Sequence, residues 1–210
     1  MRVQIYYHYI YFSKVFSVKF ENYFNHFNQL ALLFWYFMKL VLIGYMGSGK
    51  TSVGKHLASK LDFLFYDLDK EIETRVGQSI AQIFSEKGEI YFRKIESELV
   101  KNITHSKEKL ILATGGGTPC YGDTMKNLLS CDNVITIYLK TSLQILTDRL
   151  YKEKSERPLI AHITTRDVLN DFIRKHLFER SHYYYRALIT INVDELSVSE
   201  ISEAIILKLF

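Results

Sequence analysis

The sequence predicts an α/β fold: a five-stranded parallel sheet flanked by helices, with a mobile lid. Three observations carry that prediction. From Lys39 onward short apolar runs alternate with longer amphipathic ones, the pattern of a parallel sheet covered on both faces. A glycine-rich loop separates the first apolar run from the first amphipathic one. Two further apolar runs end in residues suited to ligands rather than to packing, "FYDLD" and "ILATGGG". The carboxyl ends of strands are where open α/β sheets hold ligands.

The elements follow in order. "KLVLIG" (39–44) is short and wholly apolar after its lysine, as a buried strand is. "KTSVGKHLASKL" (50–61) spaces Val53, Leu57 and Leu61 by four, a helical period. "FLFYD" (63–67) is a second strand. "SIAQIFSEKG" (79–88) is a short helix closed by Gly88, and "EIYFRKIESELVKNI" (89–103) a longer one. "KLILA" (109–113), "NVITIYL" (133–139) and "ALITIN" (187–192) supply the remaining strands. Helices are expected near 142–150, over 165–184 and from Ser197 to the end. The charged stretch "YKEKSERPLIAHITT" (151–165) has no strand pattern, and Pro158 interrupts any helix through it, so it is the expected lid.

Bulk composition narrows the function classes. At 210 residues and 48% hydrophobic content the chain supports one well-filled domain. A net charge of +4, from 27 basic and 23 acidic residues without a basic stripe, argues against nucleic acid. Cys120 and Cys131 make neither a disulfide framework nor a metal set, and suit reduced thiols in the cytoplasm.

The first 37 residues differ from the rest. They hold 14 of the 30 aromatic residues, one acidic residue (Glu21), and no glycine or proline. Gln4, His8, Ser13 and Lys14 break any signal-peptide core, and Lys39 interrupts the apolar run that follows, so no membrane span is expected. The expected division is therefore an extension over 1–37, outside the fold, and a domain over 38–210. The extension reads as upstream sequence translated ahead of a start at Met38. A genuine anchor or partner segment and a targeting peptide are the alternatives. Without Arg2, Lys14, Lys19 and Glu21 the charge falls to +2.

"GYMGSGKT" (44–51) matches G-x-x-x-x-G-K-[ST] between a strand and a helix, the context this phosphate-binding loop requires. Gly44, Gly47 and Gly49 let backbone N–H groups turn inward around phosphate oxygens, and the helix N-terminus adds partial positive charge. Lys50 reaches the β and γ phosphates, and Thr51 offers its hydroxyl to Mg²⁺. The motif points to a nucleoside triphosphate and is silent about the acceptor.

Four features address the acceptor. Asp67 and Asp69 would share a face if their strand continued, one to support Mg²⁺ and one to accept from hydroxyls. Arg93 and Glu96 lie three apart on a helix, an arginine placed by its glutamate to present a fork to a carboxylate. Gly115, Gly116 and Gly117 end a strand on the same edge, where glycine permits positive φ or close approach of the backbone. Arg157 in the lid and Arg180 in "FERSHYYYRAL" can turn toward an anion. Each has a plainer reading in isolation: a turn, a surface ion pair, a solvated side chain.

Together, "GYMGSGKTSVGKHLA", "FYDLDKEIE", "GQSIAQIFSEKGEIYFRKIESE", "ILATGGG" and "RPLI" resemble the shikimate kinase family, in order and spacing, over the whole body from about Lys39. The resemblance implies a P-loop kinase fold like that of nucleoside monophosphate kinases. It implies phosphorylation of the 3-hydroxyl of shikimate by ATP with one Mg²⁺ ion, on the route to chorismate and the aromatic amino acids. It also implies a cytoplasmic monomer whose partners are ATP and shikimate, with neither nucleic acid nor membrane. By motif, Gly47, Ser48, Gly49, Lys50, Thr51, Ser52, Arg149 and Arg157 would bind ATP, and Thr51 with Asp67 would serve the metal. Asp69, Arg93, Gly115, Gly116, Gly117 and Arg180 would bind shikimate, with Lys50, Asp69 and Arg157 as the catalytic group. Asp69 would either take the hydroxyl proton or aim it. The stretch "TPCYGDTMKNLL" departs from the family pattern after the glycines, and the extension has no counterpart. A gluconate kinase or a nucleoside monophosphate kinase would share the loop and sheet, and a non-catalytic nucleotide-binding regulator the loop alone. None of these accounts for "FYDLD", "FRKIE" and "ATGGG" together.

Overall fold

The computed structural model describes residues 37–157 and 159–209. The extension, apart from Phe37, and Pro158 lie outside the described residues. Five parallel strands form one sheet in the order β2-β3-β1-β4-β5. They are β1 (Lys39–Ile43), β2 (Leu64–Asp67), β3 (Leu110–Ala113), β4 (Val134–Lys140) and β5 (Ile189–Asn192). Every residue of β1 and β3 is buried, as expected of strands covered on both faces.

Alternation along the strands divides the core in two. Leu40 and Leu42 of β1, with Ile111, Ile135 and Ile137, face α1 (Lys50–Leu61) and the C-terminal helix, which contribute Val53, Leu57, Ile201 and Ile205. Val41 and Ile43, with Leu110, Leu112 and Tyr138, face the opposite layer. That layer holds α2 (Leu68–Val76), α3 (Ile80–Thr104), α4 (Thr124–Ser130), α5 (Leu143–Lys152) and α6 (Arg166–Tyr184); the C-terminal helix is α7 (Val198–Leu209). Period-two side chains and two helical layers are one fact seen twice. No helix among the described residues is long and apolar enough to cross a membrane.

The second strand ends at Asp67, as expected; helix α2, which begins at Leu68, is not among the expected elements, and it keeps Asp67 and Asp69 from sharing a strand face. Leu68, Ile72 and Val76 are four apart; the first two are fully buried and Val76 packs against them. Gly77 closes that helix at φ 71°. The break expected at Gly88 is present: α3 is two helical stretches joined by a kink there, at φ 78° and ψ 173°. A capping box starts α3: Ser79 Oγ accepts from the Gln82 N–H, and the Gln82 side chain accepts from the Ser79 N–H.

Register explains why distant motifs meet. Asp67 at the end of β2 lies opposite Ala113 of β3, and Leu42 of β1 also lies opposite Ala113. The Asp67–Asp69 segment, the glycine run and the phosphate loop are therefore the continuations of three adjacent strands at one sheet edge. That edge lies where the chain switches direction across the sheet, the crevice in which such sheets bind ligands.

Candidate active site

The phosphate loop leaves β1 at Gly44, whose φ is 144°. A Cβ there would lie 2.9 Å from the Leu139 carbonyl oxygen, so conformation and space both demand glycine. Lys50 is buried, and its Nζ donates to the Gly44 and Tyr45 carbonyls at 2.9 Å each. Burial pulls its pKa down to about 8; Asp69 and Asp67 pull the other way, and Arg157 reinforces burial. The Ser48 hydroxyl, also buried, has no hydrogen-bond partner among the described residues. Thr51 Oγ1 donates to Asp67 Oδ2 at 2.8 Å.

Asp69 stands in the first turn of α2. Its side chain opens onto the cleft but is walled in by protein elsewhere. Desolvation, with further help from Asp67, raises its pKa to about 6 against the opposing pull of Lys50. Asp69 and Lys50 thus perturb each other across the space between the phosphate loop and the glycine run.

The glycine run meets different neighbours on each residue. A Cβ at Gly115 would lie 3.1 Å from Asp69 Oδ1 and 3.3 Å from Glu96 Oε1. One at Gly116 would lie 3.2 Å from the Met46 backbone nitrogen, in the phosphate loop. One at Gly117 would lie 3.0 Å from Arg93 Nη2 and 3.2 Å from Nη1. None of the three takes positive φ. Close approach, not left-handed backbone, is what these glycines supply. Tyr184 pins the run by donating its hydroxyl to the Gly116 carbonyl at 2.6 Å.

Arg93 is held in place. Its Nη1 donates to Glu96 Oε2 at 2.9 Å, while Nε and Nη2 share Glu89 Oε1 at 3.3 Å. Glu96, almost wholly buried, takes a second bond from Thr118 Oγ1 at 2.7 Å. Arg180 has no hydrogen bond or ion pair among the described residues and lies 5.9 Å over the Tyr45 ring. Tyr45 and His176 Nδ1 share a 3.0 Å hydrogen bond that ties the phosphate loop to α6. The Cys120 thiol, pushed up to about 11 by burial, is drawn back by both Arg180 and Arg93. Both guanidinium groups therefore act electrostatically on Cys120.

The expected residues sort into two neighbouring spaces. A cleft of about 390 Å³ is lined by Gly47, Ser48, Gly49, Lys50, Thr51 and Ser52 of the loop. Asp67, Asp69, Gly115, Gly116, Arg149 and Arg157 complete the same wall. Arg93, Gly117 and Arg180 do not line it: Gly117 lies beside the Arg93 guanidinium, and Arg180 lies over the Tyr45 ring. Arg149 Nη1 donates to the Gly47 carbonyl at 3.1 Å. Arg157 is paired with Glu153, which accepts from its Nη2 at 2.7 Å. Sequence reasoning missed Glu153 and the apolar end of the cleft, Leu196, Val198 and Ile201. No motif marks any of these residues; Leu196 precedes α7, and Val198 and Ile201 lie in its first turn.

Comparison with known proteins gives the family. The family model described as shikimate kinase matches residues 46–210. The shikimate kinase of Flavobacterium psychrophilum is 46% identical over 167 residues, covering 80% of this chain and 96% of that protein. That of Flavobacterium johnsoniae is 44% identical, over 77% and 93%. Among solved structures, shikimate kinase from Bacteroides thetaiotaomicron superposes with a TM-score of 0.74 at 33% identity, covering 80% of this chain and 96% of that one. The Acinetobacter baumannii enzyme in complex with shikimate gives 0.71 at 32% identity, over 80% and 90%. A gluconokinase from Sinorhizobium meliloti, at 17% identity and a TM-score of 0.51, shares the fold alone. The phosphate loop, the Asp67–Asp69 pair and the glycine run that joins them to Arg93 are thus set in a chain that belongs to the shikimate kinase family.

Proposed function

We propose that this chain transfers the γ-phosphoryl group of ATP to the 3-hydroxyl of shikimate, giving shikimate 3-phosphate and ADP on the route to the aromatic amino acids. The observation that carries this reading is the glycine run. Its three residues touch Asp69, the phosphate loop and Arg93 in turn. A small ring lying on them would present a hydroxyl to Asp69 and a carboxylate to Arg93.

Phosphoryl transfer needs position and charge more than covalent help. The loop N–H groups and the α1 N-terminus hold the phosphates, and Lys50, protonated below its pKa of about 8, trades its two carbonyl partners for phosphate oxygens. The Thr51 hydroxyl and Asp67 carboxylate supply hard oxygen donors side by side, fitting an Mg²⁺ ion that keeps water and phosphate as its other ligands. Thr51 and Asp67 would hold such an ion where it would supply positive charge to the phosphates. Asp69, ionised above about pH 6, accepts the hydroxyl hydrogen bond and receives or aims its proton. Arg93 and Arg180 clamp the carboxylate. Arg157 exchanges Glu153 for the transferring phosphoryl group as the lid over 151–165 closes, and Arg149 braces the loop at Gly47. Leu196, Val198 and Ile201 give the adenine ring an apolar bed.

The same reading makes 38–210 the catalytic unit, a cytoplasmic monomer. In support, 80% of this chain accounts for 96% of the Flavobacterium psychrophilum protein. A chain starting at Met38 is expected to match the full chain in activity; an inactive or unfolded product would contradict that division. The reaction is tested by a coupled assay of ADP release with shikimate, run beside gluconate and nucleoside monophosphates. Turnover confined to shikimate is expected, and turnover of any other acceptor at a comparable rate would overturn the assignment.

A further inference from the structure

We infer that Tyr121 is a positioning residue for the acceptor carboxylate, acting by stacking on Arg93. The inference rests on shikimate being the acceptor. Tyr121 lies just past the glycine run, in the stretch that departs from the family pattern. Its ring centroid is 3.8 Å from the Arg93 Cζ, a distance for direct stacking. Phe92, the neighbour of Arg93 on α3, stands farther off at 5.1 Å. Tyr121 is therefore the main cover on one face of the guanidinium.

The edges of Arg93 are occupied selectively. Glu96 takes one hydrogen of Nη1, and Glu89 takes the Nε–Nη2 side. A guanidinium carries five N–H donors, so one hydrogen on each terminal nitrogen is left. Both terminal nitrogens border the space above Gly117. Tyr121 Cε2 borders that same space, 3.3 Å from where a Gly117 Cβ would stand. An anion gripped by the free fork would lie against the edge of the tyrosine ring. Two carboxylate partners and one ring on the face restrain the orientation of the fork. The ring also keeps water off the cation, which strengthens its bonds to an incoming carboxylate. The Arg93 side chain is 20% exposed.

This role separates from simple packing. Tyr121 is 38% exposed on its loop, so its loss leaves no core cavity. Tyr121→Ala is expected to raise KM for shikimate about three- to thirtyfold, the range of a partly desolvated cation–π contact. The ATP KM and kcat should stay within about twofold of the parent. Tyr121→Phe, which keeps the ring, should behave as the parent does. Tyr121→Leu, which keeps apolar bulk but not the π face, should behave as alanine does. In an Arg93→Ala background, Tyr121→Ala should add nothing. With the methyl ester of shikimate, which offers no anion to the fork, Tyr121→Ala should leave KM unmoved. A parent-like KM in the alanine or leucine variant, or an equal rise for shikimate and its ester, would overturn the inference. An active parent with an unmoved Tyr121→Ala would remove this role alone, whereas a parent inactive on shikimate would remove the acceptor assignment and this role together.

Discussion

The phosphate loop and the proposed acceptor site meet at the ends of neighbouring strands, yet they are built in opposite ways. The cradle is backbone: one contiguous loop turns its amides inward, and its main side chain, Lys50, bonds to that loop's own carbonyls. The proposed acceptor residues come instead from four places: Asp69 on α2, Arg93 and Glu96 on α3, the backbone of the glycine run, and Arg180 on α6. Lys50 is held by neutral partners, ready to exchange them for an anion. Arg93 is already paired with Glu89 and Glu96 and keeps only part of its fork for a ligand. Generic recognition of phosphate can be carried by backbone geometry that survives many sequence changes. Recognition of one particular acid depends on individual side chains, and single substitutions should therefore split the two regions.

The largest split is expected at Asp69. Asp69→Asn keeps the shape and removes the charge that receives or aims the hydroxyl proton, so kcat should fall about a hundredfold to ten-thousandfold. ATP binding, measured by calorimetry, should persist. In the parent, kcat/KM should fall as pH drops through about 6, where Asp69 gains its proton, and again as pH rises through about 8, where Lys50 loses its own. The asparagine variant should lack the acid limb. The same group has a stability signature. Its folded pKa lies above the ordinary 3.8, so the folded state binds the proton more tightly. Stability is therefore lost as pH rises between about 4 and 6, and Asp69→Asn should melt higher than the parent at pH 7. A lower melting temperature would mean that Asp69 serves the fold rather than the reaction.

Arg93 and Arg180 come next. Removing either should cost roughly 2–4 kcal/mol of transition-state binding, about a thirtyfold to thousandfold loss in kcat/KM for shikimate. Lysine should restore only part, because a point charge cannot reproduce the planar fork. ATP affinity unchanged in both variants would keep the two regions separate; a parallel loss of ATP affinity would merge them.

Arg157 probes the seam between the regions. Arg157→Ala should lower kcat about tenfold to a hundredfold with little change in the shikimate KM, because the arginine acts on charge in the transferring group. Hydrogen exchange over 151–165 should slow when nucleotide binds. Unchanged turnover in the variant would take this arginine out of the mechanism.

The two regions also differed in how far they could be read from sequence. The cradle is contiguous, so "GYMGSGKT" was sufficient for it. The sheet was legible because β1 and β3 are uninterrupted apolar runs. Helix α2 was not, since "DLD" after a strand invites continued extension, although Leu68, Ile72 and Val76 carry a helical period. Asp67 and Asp69 would share a strand face only if the strand ran on; the chain turns helical at Leu68 instead, and both still line the cleft. Glu153 and Tyr121 had no signal at all. A glutamate in a charged stretch and a tyrosine after glycines acquire roles only through what they touch, Arg157 in one case and Arg93 in the other.

The claim that ties the regions together is that the glycine run leaves room for the acceptor, and Gly117→Ala tests it most directly. Gly117 has φ −90° and ψ −18°, a conformation open to alanine, so folding should be spared. The new methyl would stand 3.0 Å from Arg93 Nη2 and 3.2 Å from Nη1, beside the fork meant for the carboxylate. The measurement is kcat/KM for shikimate, taken together with ATP affinity and the melting temperature. A fall of about tenfold or more in kcat/KM, on the order of 1.4 kcal/mol, with the other two unchanged, is the predicted result. A variant that phosphorylates shikimate as well as the parent does would contradict the account.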